Sequence, residues 1–359
     1  MNSTLVYNSI PDAAPRTRKL IKMEYNSTYL QQSVASLIVL PVIYNFLCIL
    51  GLLGNMFSQW VFLRKIARKT STHIYLINLV TANLLVCSAM PFMSVYFMEG
   101  FKWTYSSVEC KVINFLGTLF LHVSMFVSLT ILSWIAISRY ATLMKKDLAQ
   151  EEHASFYEKI FYGHILKKFC QPKFAKKLCC FIWGTVLATV IPITVYYSVV
   201  ELNQGSKKMC YSKESECGTS ISQNARLFGT AFVGFCFLVV LLSYYSFVSY
   251  LKKIRKSTTI TKQYSIYYSV KTHLLVIQFL LIVCFLPYSI FTPIFYALNK
   301  TNDSQQLVHL VEIKNFLICL AAARSSTDPV IFLLLDKTFK KTLYNLFGKA
   351  NSAPENSVP

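Results

Sequence analysis

The sequence predicts an all-α membrane protein built as a bundle of seven transmembrane helices. Its 359 residues are 54% hydrophobic and only 14% charged, whereas a soluble domain carries nearer a quarter charged residues. The apolar residues lie in long, almost uncharged runs, and a run of about 18 or more such residues indicates a helix that crosses the membrane. Because lipid offers the backbone no hydrogen bonds, each run has to be helical.

Seven apolar runs separated by polar connectors support this prediction. One such run alone would also fit a buried helix of a soluble protein, but seven in succession do not. The predicted spans are residues 34–63, 73–97, 111–138, 178–200, 225–251, 271–298 and 307–335. The predicted divisions of the chain are a glycosylated outer tail (1–33), the helix bundle (34–335), a membrane-surface helix (336–347) and a cytoplasmic tail (348–359).

The distribution of basic residues predicts the orientation. Residues 1–33 contain no apolar block long enough for a cleavable signal peptide, so the first span is expected to act as its own signal. With the N-terminus outside, 23 of the 36 Lys and Arg residues face the cytoplasm and twelve face outward, as the positive-inside rule requires. The net charge of +20 therefore places a basic face beside anionic membrane lipids and a signalling partner, and it needs no nucleic acid to explain it.

Glycosylation acceptor sequences agree with this orientation. All four lie on the predicted outer side and none lies inside; they are Asn2, Asn26, Asn299 and Asn302. We therefore expect a multi-pass protein of the plasma membrane with an extracellular N-terminus.

Two connecting segments stand out on the predicted inner side. The second inner loop, about residues 142–177, is long, and its stretch 156–169 mixes apolar and basic residues. That mixture suits either a helix on the membrane surface or a partly disordered basic insertion. The tail begins with Asp336–Phe347, whose apolar residues fall on one face of a short surface helix; they are Phe339, Leu343, Leu346 and Phe347.

Three of the eleven cysteines lie on the predicted outer side: Cys110, Cys210 and Cys217. The exterior of the cell is oxidising, so we expect one disulfide and one remaining thiol. We favour a bond from Cys110 to either Cys210 or Cys217, which would tie the third span to the second outer loop. The competing bond between Cys210 and Cys217 would close a small local loop.

One short motif occurs in each predicted span. In chain order they are Gly54-Asn55, Asn78–Leu85, Ser138-Arg139-Tyr140, Trp183 with Pro192, Tyr245, Cys284-Phe285-Leu286-Pro287-Tyr288 and Asp328-Pro329-Val330-Ile331-Phe332. Each motif alone is weak, but the ordered series over about residues 34–347 resembles the rhodopsin-like class of G-protein-coupled receptors. The motifs of spans six and seven resemble its purinergic-receptor-like branch.

The resemblance implies a receptor that passes an extracellular ligand signal to a heterotrimeric G protein by a shift among conformations. Pro287 frees a backbone bond in span six and permits a bend there. Outward motion of span six would then open a cleft for the G protein at the inner side. The implied coupling residues are Ser138, Arg139, Tyr140, Tyr245, Lys271, Phe285, Pro287, Asp328, Pro329 and Phe332.

Departures from the family pattern lead to a hypothesis about signalling. The family usually has an acid before the span-three arginine, where this chain has Ser138, and the start of span six near Tyr267 offers no second acid. Arg139 thus lacks both customary carboxylates, so we expect a weakly latched resting state with raised basal signalling. The alternative is that Ser138, Tyr245 and backbone carbonyls hold Arg139 instead.

The resemblance also identifies a polar site within the membrane, where the family binds a sodium ion through an Asp in span two, a Ser in span three and Asn residues in span seven. The matching residues here, with a neighbour in span one, are Asn55, Asn83, Ser128, Arg324 and Asp328. Arg324 lies four residues before Asp328, on the same helical face, and a charge inside the bilayer is usually paired. We expect these two to pair, with Asn83 and Ser128 completing the hydrogen bonds, and the guanidinium to replace the sodium ion. The predicted cofactors and metals are therefore none.

The family's ligand pocket opens outward between spans three, five, six and seven. The residues expected to line it are Leu121, His122, Met125, Tyr288, Ser289, Thr292, Lys314 and Ile318. Leu121 stands where amine receptors carry an aspartate, which argues against a biogenic amine. Ser289 and Thr292 replace a His and a basic residue of the branch's nucleotide receptors, which weakens the nucleotide interpretation. Lys314 and His122 would hold one anionic group of a lipid or small metabolite, or Lys314 would snorkel to the outer surface.

Other classes of protein fit less well. The six histidines are scattered without metal spacing, and the chain has no P-loop, GxSxG or HExxH motif, so an enzyme is not expected. A transporter would show internal repeats or several membrane charges along a pathway, and only Arg324 and Asp328 lie deep. The remaining alternative is a seven-span protein that binds ligands or partners without coupling to a G protein.

Overall fold

The computed structural model describes residues 32–67, 69–104, 107–148, 168, 171–196, 198, 209–218, 220–257, 261–299, 304–335 and 337–350. Side chains are described for most of these positions, but not for 139–148, 250–257 and 261–274, among others. The described residues are almost entirely helical, with one isolated β-bridge between Thr104 and Met209. Seven of the helices are long and apolar enough to cross a membrane, which confirms the predicted fold class.

Span one comprises the helix Leu40–Trp60 with a π-helical turn on each side, Ala35–Val39 and Val61–Lys65. The other spans, two to seven, are Ser71–Glu99, Val108–Leu148, Pro172–Val195, Ser220–Ser257, Thr261–Asn299 and Ser304–Leu335. A short helix, Lys213–Cys217, precedes span five, and a C-terminal helix, Lys337–Ala350, follows span seven. We call the end of the bundle that carries residue 32 and residues 209–218 the N-terminal face, and the other end the opposite face.

Several spans extend beyond their apolar segments. Spans three, five and six are longer than the predicted 111–138, 225–251 and 271–298, because helical backbone hydrogen bonds form in water as well as in lipid. Span four begins earlier than residue 178, at Pro172, whose fixed φ suits the first position of a helix. Within the second inner loop predicted at 142–177, span three extends to Leu148 and span four begins at Pro172. Of the stretch 156–169, only Lys168 lies among the described residues.

The sequence motifs mark close contacts between spans. Gly54 faces Pro329, and a Cβ atom on Gly54 would lie 2.8 Å from the Pro329 ring, so the pair lets spans one and seven approach closely. The Trp183 indole Nε1 donates a hydrogen bond of 3.1 Å to Asn78 Oδ1 and joins span four to span two. These contacts give the motifs a packing role.

The C-terminal helix is anchored by one aromatic side chain. Phe339 is fully buried, and its ring packs against those of Phe57, Phe62 and Phe332 at centroid distances of 6.3, 5.2 and 6.4 Å. Burial of an aromatic ring among others stabilises such a contact beyond its buried area. The anchor holds the start of this helix against spans one and seven at the opposite face.

A disulfide and a pair of backbone hydrogen bonds fix the 209–218 segment on the N-terminal face. Cys110 at the start of span three is bonded to Cys210, while Cys217 is a free, buried thiol. The Cys210 amide donates to the Trp103 carbonyl and the Tyr211 amide to the Gly100 carbonyl, at 2.7 and 2.9 Å. Of the three pairings considered from the sequence, the structure thus contains Cys110–Cys210.

We expect loss of this disulfide to destabilise the bundle by about 2–5 kcal/mol, because the cross-link restricts the unfolded chain. Cys110→Ser should lower the thermal unfolding midpoint of the purified receptor, and a reducing agent should lower the wild-type midpoint to a similar extent. Cys217→Ser is the matched control and should leave the sensitivity to reducing agent unchanged. An equal loss with Cys217→Ser would contradict the assignment.

Candidate functional site

A buried cluster of polar side chains lies at the level of Arg324 in span seven. The Arg324 Nη1 atom donates to Asp328 Oδ2 at 2.6 Å, and Nη2 donates to Asn83 Oδ1 at 2.9 Å. Asn83 Nδ2 in turn donates to the same Asp328 oxygen at 2.8 Å. The arginine, the aspartate and the asparagine therefore form a closed ring of charge-assisted hydrogen bonds, of the kind that makes a buried charge tolerable.

Span one joins this cluster through Asn55. Asn83 Nδ2 lies 3.2 Å from Asn55 Oδ1, and Asn55 Nδ2 donates to the carbonyl of Ser325 at 2.9 Å and to that of Gly51 at 2.8 Å. Both amides are buried. The side chains of spans one and two thus bond to each other and to span seven.

Span six contacts the cluster through an aromatic ring. The guanidinium carbon of Arg324 lies 5.4 Å from the centroid of the buried Phe285 ring, a distance at which a cation and an aromatic face attract each other. Phe285 is one of the coupling residues that the family resemblance implies, but no sequence signal indicates its contact with Arg324. The contact depends on how two distant helices are rotated against each other.

Ser128 does not take part in the hydrogen-bond network. Its hydroxyl is buried and has no hydrogen-bond partner among the described protein atoms, and the same holds for the Nε atom of Arg324. The expectation that Ser128 completes the network is therefore corrected. The two terminal nitrogens of Arg324 are directed to Asp328 and Asn83, and span three contributes no hydrogen bond.

The residues at this site do not fit a sodium ion. The family position is occupied here by a guanidinium within hydrogen-bonding distance of the carboxylate that would ligate the cation. Bringing a second positive charge to the same Asp328 oxygen would be opposed by strong repulsion in a medium of low dielectric constant. The positive charge at this site is therefore the Arg324 guanidinium and not a bound ion.

Two adjacent cavities lie between the cluster and the N-terminal face. The span-five cavity, about 800 Å³ of open space, lies between spans three, four, five and six, and the span-seven cavity, about 750 Å³, lies between spans two, three and seven under the 209–218 segment. They share Thr118, His122, Met125, Arg226 and Tyr288. Their position between the helices of a bundle is typical of small-molecule sites.

Most of the predicted pocket residues line these cavities. His122, Met125 and Tyr288 line both; Leu121, Lys314 and Ile318 line the span-seven cavity, and Ser289 lines the span-five cavity. Thr292 is buried, bonded to the Tyr288 carbonyl at 2.7 Å, and lines neither of them.

Arg226 in span five is one cavity residue that the sequence did not predict. It lines both cavities, and its Nη1 atom lies 3.2 Å from the Tyr296 hydroxyl oxygen. The sequence sign of its role is a basic residue at the very start of an apolar run. A basic residue at the end of a span also bears on membrane orientation, and the sequence prediction used Arg226 only for that.

Lys314 is buried under the 209–218 segment and does not reach the surface. Its ammonium lies 2.6 Å from both the side-chain Oε2 and the backbone carbonyl oxygen of Glu216. The Tyr96 hydroxyl donates to the other Glu216 oxygen at 2.7 Å. Burial opposes ionisation of the Glu216 carboxyl, but the Lys314 charge, aided by these hydrogen bonds, outweighs it and holds the pKa below its usual range.

The implied coupling residues are only partly described. Ser138 and Phe332 are buried, and Pro287 and Pro329 lie within continuous helices. Tyr245 is 71% exposed on the outside of the bundle. The side chains of Arg139, Tyr140 and Lys271 lie outside the described residues, as do Asn2, Asn26, Asn302 and the side chain of Asn299.

We expect Arg324→Met to lower the free energy of unfolding by about 3–5 kcal/mol, because it leaves the Asp328 carboxylate buried without its partner. The double variant Arg324→Met with Asp328→Leu removes both charges and should lose less than Arg324→Met alone. Thermal unfolding of the purified receptor measures both, with the exposed Thr327→Ala in the same helix as control. Additive losses in the double variant would show that the two charges do not interact.

Comparison with known proteins agrees with this architecture. The family described as 7 transmembrane receptor (rhodopsin family) matches residues 54–155 and 157–332. "Probable G-protein coupled receptor 82" of Homo sapiens is 66% identical over 331 residues, which cover 92% of this chain and 98% of that protein. The Mus musculus protein of the same name is 63% identical over 91% of this chain and 100% of its own length.

A more distant relative is "Probable G-protein coupled receptor 34" of Pan troglodytes, 24% identical over 89% of this chain and 78% of that protein. The family match extends from the Gly54-Asn55 motif of span one to Phe332 at the end of span seven. The chain therefore belongs to the rhodopsin family of seven-transmembrane, G-protein-coupled receptors, and it is a receptor and not an enzyme.

Proposed function

We propose that this receptor lies in the plasma membrane with its N-terminal face outside. It binds a small amphipathic ligand in the two adjacent cavities, and it activates a heterotrimeric G protein at the opposite face. The observation that carries the proposal is the pair of cavities, both of which reach span six at Tyr288. The span-seven cavity lies beneath the disulfide-linked 209–218 segment, which lines it through Ser215 and Glu216. A ligand that fits one arrangement of these spans better than another shifts the receptor toward it.

The orientation is supported by chemistry at both ends of the bundle. Disulfides persist in oxidising compartments, and Cys110–Cys210 lies at the N-terminal face. The basic residues concentrate in the loops and tail of the opposite face, as expected for the cytoplasmic side. Membrane lipids with anionic headgroups would contact that basic surface.

The cavity walls indicate the kind of ligand. Most of the wall area of the span-five cavity is apolar. Its polar side chains are Thr118, His122, Thr194, Arg226, Thr230, Tyr288 and Ser289. Leu121 lines the span-seven cavity where amine receptors place an aspartate, so a cationic amine lacks its counter-charge there. An apolar body with one anionic group matches these walls, and this places a lipid or an anionic metabolite ahead of an amine.

We expect the receptor to activate a G protein without added ligand, because Ser138 replaces the acid that normally restrains the neighbouring arginine. Basal activation should be measured across the main G-protein families in cells at matched surface expression. Arg139→Ala should reduce it to the level of cells without receptor, while Lys69→Ala, an exposed basic residue of the same face, should retain it. No signal from well-expressed wild type would refute raised basal activity.

A second candidate function is ligand or partner binding without G-protein coupling. The serine at position 138 and the altered span-seven site favour it, since both depart from the family pattern at positions that serve activation. The same assay tests it: a basal or ligand-induced signal that depends on Arg139 excludes this candidate.

We further expect the receptor to be insensitive to sodium, because the Arg324 guanidinium already bonds the Asp328 carboxylate and Asn83. The thermal midpoint of the purified wild-type protein should be the same in sodium chloride and in choline chloride of equal ionic strength. Arg324→Asn removes the internal cation and should create a difference between the two salts or destabilise the fold. Stabilisation of wild type by sodium but not by choline would contradict the expectation.

A further inference from the structure

A second buried ionic site lies at the N-terminal face, separate from the Arg324 cluster. The Glu216 carboxylate lies 2.6 Å from the Lys314 ammonium and accepts a hydrogen bond of 2.7 Å from the Tyr96 hydroxyl. The Phe295 ring packs against the Lys314 ammonium, with its centroid 5.3 Å from the nitrogen. Spans seven and two therefore bond the carboxylate, and span six covers the ammonium.

Glu216 belongs to a connecting segment and not to a span. Glu216 lies in the short helix Lys213–Cys217, 98 residues from Lys314 in sequence. Cys210, six residues earlier, tethers the segment to span three, and Gly218 immediately after the helix has a positive φ of 70°, which lets the chain turn toward span five. The carboxylate is thus held at the end of a short tethered segment.

The ionic site is part of the ligand cavity. Glu216, Lys314 and Tyr96 line the span-seven cavity. His122, Arg226 and Tyr288 line it too, and these three also line the span-five cavity. A ligand that fills the span-seven cavity therefore lies beside the Lys314 ammonium. The Lys314 ammonium is held by a carboxylate of the receptor itself.

We propose that Lys314 and Tyr96, with Phe295 packed against the Lys314 ammonium, form a carboxylate-binding subsite of the ligand cavity. Glu216 fills this subsite in the ligand-free receptor. The anionic group of the ligand enters the subsite by replacing the Glu216 carboxylate. This deepens the proposed function by assigning the group that recognises the anion. A neutral ligand cannot make the exchange, because it would leave the buried Lys314 ammonium without a counter-charge.

The neighbouring thiol of Cys217 would respond to the release of Glu216. This thiol adjoins Glu216, is only 4% exposed, and has its pKa raised by burial to about 11. It is therefore shielded and protonated while Glu216 remains in place. Release of Glu216 frees the end of the segment and exposes the thiol, so the reactivity of Cys217 reports the exchange directly.

The subsite is tested by filling it with a small carboxylate. Glu216→Ala should lower the thermal midpoint of the purified full-length receptor, and acetate should restore part of it, because acetate supplies the missing carboxylate. Acetamide, the neutral molecule of similar shape, should not restore it. Glu216→Ala combined with Lys314→Met should show no response to acetate. Equal responses of Glu216→Ala to acetate and acetamide would overturn the subsite.

Labelling of Cys217 in the receptor in nanodiscs tests occupancy by Glu216. Glu216→Gln keeps the size of the side chain and should raise the labelling rate roughly tenfold or more, since labelling of a shielded group follows the population of the open form. Exchange of the two charges, Glu216→Lys with Lys314→Glu, should restore protection that each single reversal loses. Cys217→Ser should remove this labelling, which assigns it to that thiol.

Unchanged Cys217 labelling in Glu216→Gln and in both single reversals would overturn the proposal. Neither experiment measures signalling or uses a natural ligand. Failure of the proposed G-protein coupling would therefore leave these results interpretable, and their failure would leave the coupling assay unaffected.

Discussion

The Arg324 guanidinium lies among apolar spans, where an arginine at the centre of a membrane helix costs about 2.5–3.5 kcal/mol on insertion scales. Its surroundings are arranged to offset that cost. Asp328 supplies the counter-charge from the next turn of the same helix, and Asn83 bonds both partners from span two. Asn55 extends the network to span one, and the Phe285 ring covers the cation from span six. Four of the seven spans therefore meet at one charge.

A second basic residue of span seven is neutralised in a different way. The partner of Arg324 is four residues away on the same helix, so the two remain together whatever the neighbouring spans do. The partner of Lys314 is Glu216, which belongs to a connecting segment and approaches from outside the helix. Both pairs are buried, and losing either partner would strand a charge. The first pair is thus a fixed element of the bundle, whereas the second can separate when the segment moves.

Span six connects the ligand cavities to the Arg324 cluster. Tyr288 lines both cavities, and Phe285, one turn further along, packs against the Arg324 guanidinium. Pro287 lies between them and removes a backbone hydrogen bond from this part of the helix. A bend at this position moves Tyr288 relative to Phe285. The cation–π contact between Phe285 and Arg324 therefore links span six to the polar site, while Ser128 of span three makes no hydrogen bond with the described residues.

The seven spans can be read directly from the amino-acid sequence, because an α-helical protein crosses a bilayer with long apolar helices and those are visible as uninterrupted runs. The sequence also predicts the Arg324–Asp328 pair, since a four-residue spacing fixes both side chains on one face of a single helix. The resemblance to the receptor family added Asn83 and the main lining residues of the pocket, including His122 and Tyr288. These features are local in the chain or shared by the family's bundle.

Partners that come from distant elements become visible only once the helices are packed. The tertiary structure chose Cys210 over Cys217 for the disulfide, gave Lys314 the carboxylate of Glu216, brought Arg226 into the cavity and left Ser128 out of the polar network. Each of these depends on the rotation and approach of helices, or on the course of a connecting segment. Side-chain spacing along one chain segment carries no information about such angles and distances, and the packing of the whole bundle sets them.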